Sequence, residues 1–401
     1  MTGKGSKIAV IGAGAAGLTA AYLLDSGNRV TIFEKGESAG GHIRTMVVPE
    51  GANALTPVDM GFMVYRERDS PMFTLILNRL GLKGRPAEMS VSLSNASRQT
   101  VYRHPIFPGL FCQGKNLLRG ASYRMIWEIL RFKRKATADL KGGRLKGLSV
   151  KEYLEKNRYS ELFTEGYLLP LAALAWFVPD GDILECSADI FVRFLRRFGL
   201  FNDRHLSEMR IIPGGSHCYA NAILNRFKGE IRLRTEVESV RRTDEKVIVA
   251  EKRGFDNLFD YVVIATHADE ALRLLSDPTY EEKTLLGAWT YTRRKAVLHM
   301  DESFMPPVRR AWSSWNCVYD PSKPKPESLE LTCYMNRLQR LKTKHPYFVT
   351  FQAARSVADG KIISETDYRC PVFSSEALRA QRELEKLNDP DGRTYFCGSY
   401  F

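Results

Sequence analysis

KIAVIGAGAAGLTAAYLLDSGNRVTIFEKGESAGGHIRT, residues Lys7 to Thr45, decides how the rest of the chain is read. Ile8 to Ile11 is a short β-branched run of the kind that forms a buried parallel strand, and it feeds directly into Gly12-Ala-Gly14-Ala-Ala-Gly17. In that spacing Gly12 permits a tight turn, Gly14 lets a pyrophosphate approach the backbone, and Gly17 lets the next helix pack closely on the strand. The helix expected from Ala15 to Asp25 directs its first amides and positive dipole end at the phosphates, and Ser26-Gly27-Asn28 stops it. Val30 to Phe33 reads as a second strand ending in Glu34, which is placed to accept from a ribose diol and disfavours a 2′-phosphate. Strand, glycines, helix, strand and acid in register make a dinucleotide-binding unit. Its expected contacts are Gly12, Gly14, Ala15, Ala16, Gly17, Glu34 and Lys35.

The residues after Glu34 extend the unit. Gly40-Gly41-His42-Ile43-Arg44-Thr45 resembles the continuation found in amine-oxidase-like FAD flavoproteins, where a glycine pair followed by Arg and Thr runs along the dinucleotide. The resemblance implies FAD as cofactor, backbone contact at Gly40 and Gly41, cofactor contacts at His42 and Thr45, and Arg44 at the diphosphate. Val58-Asp59-Met60-Gly61-Phe62, Ile212-Pro-Gly-Gly-Ser216, Phe259 to Asp269, Ala311 to Asn316, Tyr334 to Gln339 and Tyr395 to Gly398 look like landmarks of one subgroup. That subgroup comprises predicted NAD/FAD-binding proteins associated with cyclopropane-fatty-acid-synthase-like methyltransferases. By the same resemblance Gly61, Phe62 and Gly398 lie at the flavin and the strand at Val237 passes the adenine. Ala265 and Thr266 join them, because ligands of open α/β sheets sit beyond the carboxyl ends of the strands. By the resemblance, relatives continue past the last strand with a glycine-rich loop and a helix, whereas this sequence stops at Phe401, so either the sequence is a fragment or its flavin floor is incomplete.

At 401 residues the chain has room for two well-buried domains, and 44% hydrophobic with 26% charged residues is ordinary for a soluble globular protein. The first strand begins by Lys7, which leaves no room for a signal peptide, and the longest apolar run, Tyr167 to Val178, contains Pro170 and is too short to span a bilayer. A cytoplasmic location is expected. The seven cysteines, at 112, 186, 218, 317, 333, 370 and 397, never form C-x-x-C and read as reduced thiols rather than as disulfides or a zinc site. Cys397 reads as a buried strand residue, although covalent flavin attachment through cysteine exists in the wider superfamily.

The net charge is +13, and between Lys115 and Lys146 ten Lys or Arg residues face only Glu128 and Asp139. Within 119–146 the apolar residues recur at three- and four-residue spacing, giving a basic amphipathic helix. Such a helix either covers the substrate domain with its charges solvated or lies on an anionic membrane surface. No recognition motif accompanies the charge, so nucleic acid is not an expected partner.

Along the chain, helices are expected at Pro71 to Leu80, Val150 to Asn157, Tyr159 to Leu174 and Ala188 to Phe198, with a hairpin from Ser90 to Leu93 and Gln99 to Tyr102. Tyr261 to Ala265 and Arg393 to Cys397 read as strands of the nucleotide sheet. Ala288 to Tyr291, Ala296 to Met300, Ala311 to Cys317, Leu329 to Met335 and Tyr347 to Gln352 read as an antiparallel sheet. The fold class is therefore α/β: a Rossmann-type FAD-binding domain (1–65, 211–275, 376–401) with a discontinuous α+β substrate domain (66–210, 276–375).

Flavin would carry the redox chemistry, and no hydrolytic triad, metal-spaced cluster or paired carboxylates compete with it. Trp312, Trp315, Asn316, Tyr334 and Asn336 are candidate pocket liners from the second sheet, with ordinary core positions as the alternative. His267 reads as a helix-start residue more than as a base, so the catalytic residues stay unassigned. The expected function is an FAD-dependent oxidoreductase that oxidises or desaturates a hydrophobic small molecule or fatty-acyl, lipid-linked chain; the acyl assignment comes from the family association. Two alternatives stay open: an amine or polyamine oxidase, which +13 disfavours as a funnel for polycations, and a non-catalytic lipid or prenyl-type carrier.

Overall fold

The computed structural model describes residues 5–49, 55–95, 100–104, 120–176, 180–197, 201, 208–320, 322–323, 329–353 and 355–401. Strand β1 (Lys7–Ile11), helix α1 (Ala15–Leu24) and strand β2 (Arg29–Phe33) form the expected right-hand turn of chain around Gly12. Ile8, Ala9, Val10 and Ile32 lose all exposure, which is why this segment carries no polar alternation. β1 and β2 lie inside a five-stranded parallel sheet in the order Glu230–Arg232, β2, β1, Tyr261–Ile264, Thr394–Phe396. Three distant stretches of sequence thus build one sheet. Val237–Arg242, Val247–Glu251 and Asp256–Phe259 form a separate antiparallel sheet beside it.

The second large sheet has seven strands, ordered Ile362–Val372, Thr290–His299, Phe348–Phe351, Leu329–Tyr334, Trp315–Tyr319, Val91–Asn95, Thr100–His104. It departs from the sequence reading in four ways, the first being that it is not purely antiparallel, since Trp315–Tyr319 pairs with Val91–Asn95 in parallel. Ala288 to Tyr291 and Ala296 to Met300 belong to one continuous strand, because the charged link Arg293-Arg294-Lys295 stays in register with Asp367 to Arg369. Ile362–Val372, not expected as a strand, pairs along that whole length; its Pro371 is tolerated because the strand is at the sheet's edge. The strand expected to open at Ala311 begins at Trp315, after a single 3₁₀ turn at Arg309–Ala311.

Alternation gives this sheet two faces. Ala296, Leu298, Cys317, Leu331, Cys333 and Val349 point into the largest hydrophobic core, which Met125, Ile129 and Phe132 of the helix Gly120–Lys141 also enter. Val297, on the other face, packs with Phe304 and Val357. The helix expected from Tyr159 to Leu174 is present as one continuous helical run from Glu161–Phe163 to Leu169–Trp176, with a π-turn at Thr164–Leu168 inside it. Pro170 lacks the N–H that would bond back one turn, and the wider π-turn accommodates the loss. Among the described residues no helix is long and apolar enough to cross a membrane.

Candidate functional site

The glycine turn is built from backbone contacts. Gly12 has φ +99, a conformation that disfavours side chains, and a Cβ there would stand 2.9 Å from the carbonyl oxygen of Ala265. At Gly17 a Cβ would stand 1.9 Å from the carbonyl oxygen of Gly12, so α1 can sit this close to β1 only with glycine at that position. Gly14 differs, since a Cβ there would meet nothing within 4 Å. Leu18 N–H donates to the Gly14 carbonyl, and the amides of Ala15, Ala16 and Gly17 precede that first helical bond. Open space, the amides of a helix start and the positive end of its dipole together suit a diphosphate.

The second glycine segment lies directly on the first. Gly40 bridges Gly14, and the Gly40 N–H donates to the Ala13 carbonyl at 2.8 Å. Arg44 is exposed and its side chain makes no hydrogen bond or ion pair among the described residues, leaving a guanidinium available to an anion. Glu34 accepts from the N–H groups of Ala13 (2.8 Å) and Gly36 (2.7 Å), which orients its carboxylate at the end of β2; each oxygen keeps a lone pair for a diol. Ala265 and Thr266 meet Gly12 at the carboxyl ends of the strands, and Gly398 abuts the Thr266 carbonyl. Phe62 N–H donates to the His42 carbonyl, and a Cβ on Gly61 would stand 2.2 Å from that same oxygen. Val237 is buried two residues beyond Thr235, whose N–H donates to the Glu34 carbonyl. Lys35 turns outward and pairs with Glu270 at 3.0 Å.

Side chains from both lobes close on this surface. His42 is open to solvent on one side, yet its ring stands 4.8 Å from Tyr368 and 5.8 Å from His267. That enclosure, with the charge of His267, lowers its pKa to about 4. The imidazole is therefore neutral at physiological pH. His267 stacks at 4.5 Å on Tyr291, whose hydroxyl accepts from the Ala268 N–H, and burial lowers the His267 pKa too. His267 precedes the helix Ala268–Leu274 and donates its N–H to Glu270, in keeping with a helix-start role. Arg369, from the edge strand of the large sheet, pairs with Asp269 at 2.5 Å and Glu270 at 3.2 Å, tying the two lobes together.

A second tie is fully buried. Asp59 accepts from the hydroxyls of Thr45 (2.5 Å) and Ser216 (2.9 Å), the Ser216 N–H (2.8 Å) and the Gln339 amide (3.0 Å). Burial raises its pKa, and the donors from Thr45 and Ser216 oppose that rise. The hub joins the glycine segment, the helix His217–Leu224 and the substrate lobe. Its members fall in quoted landmarks, but a single Asp or Gln in sequence gives no sign that residues 280 positions apart will meet. Tyr368 is a further residue the sequence reading missed. Its hydroxyl is buried without a hydrogen-bond partner among the described residues, and burial raises its pKa. It lies 2.9 Å from where a Cβ of Gly61 would be, so an orphaned polar atom faces the proposed cofactor path. The open Gly14, the unpaired Arg44 and the orphaned Tyr368 hydroxyl all fit an FAD lying between the lobes.

Residues 15–343 match the family profile described as flavin containing amine oxidoreductase. The chain belongs to that family. An L-amino acid oxidase from Bothrops pictus is 25% identical over 299 residues, covering 70% of this chain and 57% of the relative. The chain thus spans little more than half the length of the curated relatives it matches. Among solved structures, the cyclohexylamine oxidase from Brevibacterium oxydans superposes with a TM-score of 0.66 at 15% identity, over 99% of this chain and 93% of that one. The CLA-producing fatty acid isomerase from P. acnes gives a TM-score of 0.63 at 15% identity, over 100% of this chain and 95% of that one. The family match gives flavin as the cofactor class, and the two superpositions show the fold.

Within this flavin fold the five substrate-pocket candidates do not share a face. Trp315 points into the large core, while its neighbour Asn316 points the other way and is consumed by the Ser313 N–H and the Ser313 and Thr332 carbonyls. Trp312 and Tyr334 pack on each other at 5.6 Å. Asn336 braces the loop after the helix Met335–Leu338, accepting from Tyr347 N–H and donating to Thr343 and His345. Asn316 and Asn336 hold backbone. Cys397 is half-buried and burial pushes its thiol up to about 12, which keeps it protonated and disfavours nucleophilic attachment of a cofactor.

Proposed function

We propose that the chain is an FAD-dependent oxidoreductase that oxidises or desaturates a hydrophobic, fatty-acyl or lipid-linked substrate. One observation carries the substrate class: the carboxylates bordering the site are already engaged. Asp269 and Glu270 face Arg369 and Lys35, and Asp59 is surrounded by four donors, so none of the three is left to receive an ammonium. A net charge of +13 works in the same direction.

Bound flavin supplies an acceptor for a hydride from carbon. The chain's own residues do the rest. The amides of Ala15 to Gly17 and the Arg44 guanidinium would hold the diphosphate, and Glu34 the ribose. Neutral His42, beside Tyr368, offers an uncharged donor or acceptor at the cleft. The interlobe ties at Asp59 and Arg369 keep both walls in fixed register, which is the positioning such a reaction needs.

Anaerobic titration of FAD-loaded protein tests the reading. Fatty-acyl substrates are expected to bleach the oxidised flavin, and primary amines, polyamines and L-amino acids to leave it unchanged. The relatives that are amine and amino acid oxidases make the reverse outcome the main rival. Acyl binding without bleaching would point instead to a carrier.

A further inference from the structure

The helix Gly120–Lys141 has an inward and an outward face of opposite chemistry. Inward, Met125, Ile129, Phe132 and Ala136 are buried in the large core. Outward, Trp127 is 59% exposed and Leu130 53%, with Tyr123 at 55% one turn earlier. The spacing of four and three places all three on one stripe about 10 Å long. Three large apolar side chains in a row at this exposure are a patch, not scattered single residues.

The two acids of the segment turn away from that stripe. Glu128 is 1% exposed and accepts from the N–H and hydroxyl of Ser160. Asp139 is 4% exposed and accepts from Arg144 (2.7 Å) and the Tyr153 hydroxyl (2.9 Å). No carboxylate of this helix therefore remains on the outer side, whereas Arg124, Arg134 and Lys141 are exposed there. Arg124 reaches only to 3.8 Å from Glu128. Arg131 is held beside the patch by its bond to the Asn157 carbonyl, 5.2 Å over the Trp127 ring. An apolar stripe with an indole and a phenol, bordered by cations and with both acids of its own helix turned inward, complements an interface that is apolar inside and anionic at its surface.

We propose that this face docks the protein on an anionic lipid bilayer, with Trp127 and Leu130 entering the headgroup boundary and the arginines meeting lipid phosphate. The contact is shallow. The inference does not rest on the flavin reading, because it uses only the outer side of this helix.

Vesicle flotation of the full chain tests it. Phosphatidylcholine vesicles containing phosphatidylglycerol should retain at least about tenfold more protein than phosphatidylcholine alone, and salt should weaken the retention. Trp127→Ala with Leu130→Ala should lower retention by about tenfold or more while leaving the melting temperature unchanged, since both side chains are exposed. Brominated phosphatidylglycerol should quench tryptophan emission of the unmodified protein, a reading that needs no variant. Absence of quenching, equal retention on both vesicle types, or full retention by the double variant each overturns the proposal. So does a concentration-dependent oligomer that the double substitution dissociates without any vesicle binding, which would make the face a contact between copies.

Discussion

The glycine turn at residues 12–17 and the Asp59 hub both flank the proposed cofactor path but are built in opposite ways. The turn is all backbone: neighbours in sequence, no side chain beyond a methyl, and approach distances that only glycine allows. The hub is long range and built round side chains, with a carboxylate, two hydroxyls and an amide drawn from three separate segments and one backbone N–H, that of Ser216, joining them. The first can be read by anyone holding the sequence. The second exists only after both lobes have folded and met.

Substitutions within the turn should show the largest effects. Gly17→Ala places a methyl 1.9 Å from the Gly12 carbonyl oxygen, and neither backbone can yield cheaply. The expected cost exceeds roughly 4 kcal/mol, read as loss of soluble, cooperatively melting protein. Gly14→Val should do something different, because a Cβ there meets open space. Its melting should stay near that of the parent while FAD retention falls by about tenfold or more, since the side chain stands where the pyrophosphate must lie. If both variants melt alike, the division between a packing glycine and a ligand glycine is wrong.

At the hub, Asp59→Asn keeps the shape but replaces one accepting oxygen with a donor that faces other donors. The expected loss is about 3 kcal/mol by denaturant titration, with a parallel loss of FAD affinity because the glycine segment is anchored through Thr45. Unchanged FAD affinity in a destabilised variant would show that the hub holds the lobes together but does not position the cofactor segment.

A third region sharpens the contrast, since it is buried and polar yet remote from the glycine path. On the far face of the large sheet, His299 is fully buried; its Nδ1 accepts from the Asp301 N–H, which leaves Nε2 to donate to Thr350. Burial lowers the His299 pKa to about 4. The unfolded chain, with an ordinary histidine pKa, takes up the proton first. Stability from this group is therefore full above pH 6.5 and is lost as pH falls toward 4, by about 3 kcal/mol in all. His299→Gln should flatten that part of the stability profile. An unchanged slope would assign the acid sensitivity elsewhere.

The smallest effect is expected at Tyr368, whose buried hydroxyl has no partner among the described residues. Tyr368→Phe should change FAD-free melting by less than about 1 kcal/mol, because no hydrogen bond is lost. The same substitution should weaken FAD retention if the cofactor supplies the missing partner. Equal effects with and without FAD would remove Tyr368 from the site.

Legibility followed the range of the interactions. β1, α1 and β2 were read almost to the residue, because a parallel strand, a phosphate turn and a helix stop each leave a local signature. Thr290–His299 was read as two strands, since its central Arg293, Arg294 and Lys295 look like a loop until Ile362–Val372 is laid beside them. The helix around Thr164–Leu168 is continuous as expected, but its π-turn is not legible because the apolar residues are unbroken and only Pro170 hints at it. Of the five pocket candidates, Asn316 and Asn336 proved to hold backbone. A strand's alternation indicates which residues share a face, but not which face looks onto the site or which side chain is taken up by a neighbouring loop.

The sequence by itself determined the nucleotide turn, the family resemblance and the charge pattern of the basic helix, because each is written in short contiguous motifs whose residue types and order can be read without knowing what packs against them. Tertiary structure alone decided which acids are neutralised, which hydroxyl is left orphaned and which side of the basic helix faces water. Those properties depend on groups that come together only when distant segments pack, and the free energy of a buried charge or an unpaired donor is set by neighbours that the local sequence does not contain.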